Sequence, residues 1–155
     1  MTLGIVFMAS GFGRRFGSNK LLYPINGKPL YTHALSSLID AINELKRDIT
    51  ISLVVVSQYN EILEEALKNS AIAVFNPDSD RGITASIKLG INNLPKSDHY
   101  AFFVADQPYL NTETTVTFLK HYLKNGKPIG CVTDSVVSGN PVVFSSVFLP
   151  ELLAL

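Results

Sequence analysis

No disulfide can form within this chain, because its 155 residues include a single cysteine, Cys131. A disulfide framework and a cysteine-built metal site are therefore excluded together. Cys131 stands in the apolar run Ile129-Gly130-Cys131-Val132 and is expected to be a buried core thiol. An excess of charge of one sign is also missing, since 13 Lys and Arg balance 13 Asp and Glu. That balance argues against bulk nucleic-acid binding and against adsorption to an anionic membrane. No apolar run reaches the length of a membrane span, and the N-terminus lacks a signal peptide's charged start, so a cytoplasmic protein is expected. The three histidines, His33, His99 and His121, share no ligand spacing, which makes a zinc site improbable. There is no serine nucleophile elbow and no nucleophile–base pair, so covalent catalysis is not expected.

What the chain does have is apolar content, 46% of its residues, enough for the core of one domain. Apolar runs of strand length fall at 3–8, 49–56, 72–75, 100–105, 129–133 and 141–144. Segments of helical period fall between them at 30–45, 61–68, 84–93 and 114–124, with a further one at 146–153. Pro29 and Thr32 help to start the first helix, and Tyr59 or Asn60 precedes the second. Strands that alternate with helices imply a mainly parallel sheet covered on both faces, a three-layer α/β/α domain spanning 1–155. Repeats, low-complexity tracts and linkers are not seen.

In such sheets ligands bind at the carboxyl ends of the strands. Four segments stand just past a strand's end: the loop 10–20, Ser57-Gln58-Tyr59, the stretch 76–82, and Asp106-Gln107-Pro108. The first is the most informative. Met8-Ala9-Ser10-Gly11-Phe12-Gly13-Arg14-Arg15-Phe16-Gly17-Ser18-Asn19-Lys20 follows an apolar strand and packs three glycines, two arginines and a lysine into one loop. Glycines let backbone N–H groups approach a ligand closely, and the cations add positive charge at the same place, the combination a nucleotide's phosphates need. The loop is not the dinucleotide fingerprint, because Phe16 stands where a glycine is required. Nor is it the phosphate loop ending in Gly-Lys-Ser/Thr, because Gly17 is followed by Ser18-Asn19-Lys20. The competing reading is a solvated surface loop.

Asp106 is delivered to the sheet's edge by an apolar strand and followed at once by Pro108. A carboxylate beside a phosphate-binding loop is repulsive unless a cation stands between them. Mg²⁺ suits that place, since it takes one or two carboxylates plus phosphate oxygens and water. The alternative is that Asp106 caps a turn. The segment from Asn76 to Ser86 joins a short strand to a helix, with Gly82, Thr84 and Ser86 at the helix's first turn, where free N–H groups attract anions or carbonyl groups. It could hold a ribose or a base edge, or be an ordinary turn with an N-cap, and Asp78 and Asp80 read as solvated rather than metal-bound.

These features together resemble the nucleotidyltransferases that act on the molybdenum cofactor. Residues 8–20 resemble the family's opening Leu-Ala-Ala-Gly-x-Ser-x-Arg-(Phe/Met)-Gly-x-x-Lys, and Leu21-Leu22 and Gly27-Lys28-Pro29-Leu30 continue the pattern. Arg15-Phe16-Gly17-Ser18-Asn19-Lys20 looks closer to the cytidylyltransferase branch than to the guanylyltransferase branch. Gly82 through Gly90 resembles that branch's Gly-x-x-x-Ser-x-x-x-Gly, Ala105-Asp106-Gln107-Pro108 its Ala-Asp-Gln/Met-Pro, and Gly139-Asn140-Pro141 its Gly-His-Pro, with Asn in place of His.

The resemblance implies a Rossmann-like, GT-A-like fold and a Mg²⁺-dependent transfer of CMP from CTP to a molybdopterin-type acceptor with release of pyrophosphate. It implies catalytic roles for Arg15, Lys20 and Asp106, with Asp106 on the metal. It places Ala9, Ser10, Gly11, Gly13, Arg15, Lys20, Gly82, Ser86 and Asp106 on the nucleotide, and Asn140 and Pro141 on the acceptor side. A molybdoenzyme or its chaperone is the protein partner it implies. The family continues into Gly-Asp-Lys-Gly-Ala, whose aspartate supplies a second metal contact, and this chain is expected to lack that C-terminal segment. Three alternatives stay open: a guanylyltransferase, a transferase acting on another phosphorylated small molecule, and a nucleotide-binding module without catalysis.

Overall fold

The first strand, β1 (Thr2–Ala9), is buried from Leu3 onward, which is why it reads as a continuous apolar run rather than an alternating one. In the computed structural model, which describes residues 1–155 apart from Phe12, Arg14, Arg15, Phe16 and Ser18, β1 lies inside a six-stranded sheet. A two-stranded hairpin, β2 (Pro24–Ile25) and β3 (Lys28–Pro29), leads into helix α1 (Leu30–Leu45). There follow β4 (Thr50–Ser57), α2 (Asn60–Lys68), β5 (Ile72–Phe75), α3 (Ile83–Asn93), β6 (His99–Val104), α4 (Thr112–Asn125), β7 (Ile129–Thr133), β8 (Ser138–Ser145) and α5 (Leu149–Leu153). The strand order is β5-β4-β1-β6-β8-β7. β1 pairs in parallel with both β4 and β6, and β4 pairs in parallel with β5. β8 runs antiparallel to both β6 and β7. The sheet is thus mainly parallel, as expected, with its reversal on the β6 side.

Alternation along β1 feeds two cores. Leu3, Ile5, Phe7 and Ala9 join α1, α2 and α4 on one face, through Leu35, Leu38, Ile62 and Leu119. Val6 and Met8 join α3 and α5 on the other, through Ile91 and Leu152. This is the three-layer arrangement, and it leaves the carboxyl ends of β1, β4 and β6 together at one edge.

Element ends follow local chemistry. Asn111 caps α4, its Oδ1 accepting from the Thr114 N–H at 2.8 Å, so the helix starts two residues before the expected 114. Thr32 Oγ1 donates to the Pro29 carbonyl at 2.6 Å in the first turn of α1. The segment expected as one helix over 146–153 divides into a 3₁₀ turn, Ser146–Phe148, and α5. β8 begins at Ser138, ahead of the expected 141, because Ser138 and Gly139 pair with Thr133 and Val132 beyond a bulge.

The buried thiol is a correction. Cys131 is exposed. It lies on edge strand β7, where Ile129, Cys131 and Thr133 all face outward. The opposite face presses against α4 so closely that a Cβ on Gly130 would lie 2.5 Å from a ring carbon of Tyr122. One covered face and one open face put alternate residues of an apolar run in solvent. Among the described residues, no helix is long and apolar enough to cross a membrane.

Candidate active site

Where β1 and β6 end, a cavity of about 430 Å³ opens. Ser10, Gly11 and Gly13 form the wall that follows β1, and Ala105 and Asp106 the wall that follows β6. Ser79, Asp80 and Gly82, in the turn before α3, and Ser86, in its first turn, face them, with Lys20 and Leu21 beside them. Three of the four segments singled out in the sequence therefore converge on one space.

Lys20 is set by its neighbours. Asn19 caps a 3₁₀ turn, Lys20–Leu22, its Oδ1 accepting from the Leu21 N–H at 3.1 Å. Leu21 is buried at 5% exposure and anchors the turn, while Lys20 reaches across to Asp106, Nζ to Oδ2 at 3.1 Å. The two side chains are 42% and 44% exposed, so water screens the pair and its net worth is about 0–1 kcal/mol. The carboxylate that seemed to need a cation beside the loop has one in Lys20.

Asp106 presents one carboxylate to the cavity, and among the described residues no group of three or more His, Cys, Asp or Glu could hold a metal. That donor set does not make an all-protein cage. It fits a hard divalent cation that arrives with phosphate and water oxygens and takes one carboxylate from the protein.

The far wall is built on Asn76, 1% exposed. Its N–H donates to the Ser57 carbonyl at 2.9 Å, its Nδ2 to Ser86 Oγ at 3.1 Å, and its Oδ1 accepts from the Asp78 N–H at 2.9 Å. Ser79 Oγ donates to its carbonyl at 2.9 Å. Residues 76–82 thus form a turn that leads into α3, and the same turn borders the cavity. Ser86 accepts from Asn76 and keeps its own proton to donate. Gly82, at φ +83, enters α3 in a conformation that favours glycine, and the helix's first turn opens onto the cavity through Gly82 and Ile83. Asp80, read as solvated, is exposed and also borders the cavity. Its position two residues before the helix cap was the available signal.

The other expected residues fall elsewhere. Arg15 lies outside the described residues. Ala9 is 1% exposed and does not line the cavity; its carbonyl accepts from Ser57 Oγ at 2.6 Å. Asn140 borders a second, apolar cavity of about 330 Å³, which shares Met8 and Ile83 with the first. Its carbonyl accepts from Gln107 Nε2 at 3.1 Å, tying the start of β8 to the residue after Asp106. Pro141 is buried beside it.

Residues 5–155 match the family described as MobA-like NTP transferase domain. Two curated relatives carry the name probable molybdenum cofactor guanylyltransferase. The one from Pyrococcus horikoshii is 29% identical over 85% of this chain and 62% of its own length. The one from Thermococcus gammatolerans is 32% identical over 77% of this chain and 56% of its own. The chain therefore spans about three-fifths of the length of these relatives. Among solved structures, Rv0371c from Mycobacterium tuberculosis H37Rv superposes with a TM-score of 0.79 at 19% identity, over 99% of this chain and 76% of that one. The same protein in complex with manganese gives a TM-score of 0.72 at 17% identity, over 99% and 76%. The likeness to Rv0371c concerns the fold, and the family match, covering nearly the whole chain, identifies this protein as a member of the MobA-like NTP transferase family.

Proposed function

We propose that the cavity binds a nucleoside triphosphate and that the chain transfers its nucleotidyl group to a terminal phosphate of a molybdopterin-type acceptor, releasing pyrophosphate. The observation that carries the reading is the meeting of Lys20 and Asp106, 3.1 Å apart, at the cavity lined by the Ser10–Gly13 backbone. An acceptor phosphate oxygen attacks the α-phosphorus in line, the bond from that phosphorus to its bridging oxygen breaks, and pyrophosphate leaves with the electron pair. Positioning and charge neutralisation do most of the work in such transfers. The backbone of Ser10, Gly11 and Gly13 cradles phosphate. Lys20, drawn off Asp106, neutralises the triphosphate and the leaving pyrophosphate, joined by Arg15 in the motif's terms. Asp106 would hold a divalent cation, Mg²⁺, which when bound would supply charge neutralisation to the phosphates. Ser86 and Gly82 meet ribose or base, and Asp80 can accept from sugar hydroxyls or an exocyclic amino group. Asn140 and Pro141 stand toward the acceptor.

CTP is the donor implied by the motif at Arg15–Lys20. GTP is the second reading, favoured by the names of both curated relatives. A transfer assay with molybdopterin separates them: Mg²⁺-dependent, acceptor-dependent pyrophosphate release with CTP supports the first and with GTP the second. Release with neither, under conditions where both nucleotides are bound, contradicts nucleotidyl transfer to this acceptor.

A further inference from the structure

Ser57, Gln58 and Tyr59 stand at the end of β4, do not line the cavity and carry no role in the chemistry proposed above. Yet these three consecutive side chains reach the carbonyls of three consecutive residues in the loop after β1. Ser57 Oγ donates to the Ala9 carbonyl at 2.6 Å, Gln58 Nε2 to the Ser10 carbonyl at 2.8 Å, and Tyr59 Oη to the Gly11 carbonyl at 2.7 Å. The array is itself braced. Gln58 Nε2 lies 3.2 Å from Tyr59 Oη, the Tyr59 N–H donates to Ser57 Oγ at 3.1 Å, and Ser10 Oγ returns a bond to the Val56 carbonyl at 3.2 Å.

In a planar trans peptide the C=O of one residue and the N–H of the next point in opposite directions. Turning the Ala9 and Ser10 carbonyls toward β4 therefore turns the N–H groups of Ser10 and Gly11 away from it, toward the cavity that both residues line. A carbonyl rotated into that cavity would repel phosphate, whereas an N–H attracts it. A glycine-rich backbone does not hold one peptide orientation unaided.

We propose that Ser57, Gln58 and Tyr59 are positioning residues that fix the peptide orientation of the Ala9–Gly11 loop, so that its amides rather than its carbonyls face an anionic ligand. The inference rests on the reading of the cavity as a phosphate site, and it names residues that act on the ligand only through the loop. Two substitutions remove a donor with little change of shape: Tyr59→Phe and Gln58→Met. The test is calorimetric titration of the full chain and of each variant with inorganic tripolyphosphate, CTP and cytidine, together with thermal unfolding.

Each variant is expected to bind tripolyphosphate and CTP about three- to ten-fold more weakly, the size of one lost hydrogen bond. Cytidine affinity and the thermal midpoint are expected to stay close to wild type. Wild-type affinity for tripolyphosphate in both variants overturns the proposal. So does an equal loss for tripolyphosphate and cytidine, which would mark a general loosening. Failure of the functional reading looks different: phosphate affinity that responds to Tyr59→Phe, without transfer from any triphosphate, keeps the positioning role and removes the reaction. A wild-type chain that binds no tripolyphosphate removes the cradle and this proposal together.

Discussion

Lys20 Nζ stands 3.1 Å from Asp106 Oδ2, although 86 positions separate them in the chain. The contact makes Lys20 a competitor for the oxygen that a divalent cation would use. Replacing Lys20 by Met removes that competition and the repulsion between two nearby cations. Mn²⁺ affinity without nucleotide, followed by the electron paramagnetic resonance of the free ion, is expected to rise about three- to ten-fold in Lys20→Met. An unchanged or lower affinity would mean that the ion pair does not guard the carboxylate.

The same lysine is assigned to the triphosphate, and so its loss has a second consequence. Lys20→Ala is expected to lower the rate of nucleotidyl transfer by about ten- to a thousand-fold, the range for a lost donor to developing charge. Pyrophosphate release at saturating nucleotide measures it. A rate within two-fold of wild type would remove Lys20 from the chemistry.

Gly90 tests the packing beneath the site. A Cβ there would lie 2.4 Å and 2.7 Å from the two γ-methyls of Val6, whose β-branched side chain has little freedom to move. Alanine normally gains about 1 kcal/mol over glycine inside a helix. Overpacking of about 1–3 kcal/mol outweighs it. Gly90→Ala is expected to unfold at lower denaturant than wild type, and a gain in stability would show that α3 slides away from β1 freely.

Asn76 makes a third case. It is buried and bonds Ser86, Asp78, Ser79 and Ser57. Asn76→Ala strips its side-chain bonds and is expected to cost about 1–3 kcal/mol, with the turn at 76–82 loosened. Chemical denaturation checks the cost.

His99 sets a pH dependence at the opposite end of the sheet. Burial holds its imidazole below the usual 6.5, opposed by Asp98 and assisted by the N-terminal amine, and its Nδ1 lies 3.2 Å from Tyr122 Oη. The folded state thus disfavours the protonated ring relative to the unfolded chain. The stability that His99 contributes is complete above its unfolded value and is lost as pH falls through the lower folded one. Denaturant midpoints between about pH 7 and pH 5 should fall in wild type, and the fall should be shallower in His99→Gln.

Strands buried on both faces were plain in the sequence because nothing interrupts their apolar runs, as in β1 and β6. Asp106 was legible for the same reason, being the acid that follows such a run before Pro108. Cys131 misled because an edge strand can carry an apolar run with one face in water. The two-residue strands of the β2–β3 hairpin are too short for periodicity to show. The bond donors at Ser57, Gln58 and Tyr59 were in view as residues at a strand's end, but their partners are backbone carbonyls, which leave no mark in residue identity. That Lys20 and Asp106 meet is a product of β1 and β6 being neighbours, which no spacing along the chain encodes.

The central claim is that the cavity between the Ser10–Gly13 loop and Asp106 is a nucleoside triphosphate site completed by a divalent cation. Calorimetric titration with CTP and with GTP, each with and without Mg²⁺, on the wild-type chain and on Asp106→Asn tests it most directly. The account predicts Mg²⁺-dependent binding of a triphosphate that weakens in Asp106→Asn. Binding that ignores both Mg²⁺ and the substitution, or binding of neither nucleotide, would contradict it.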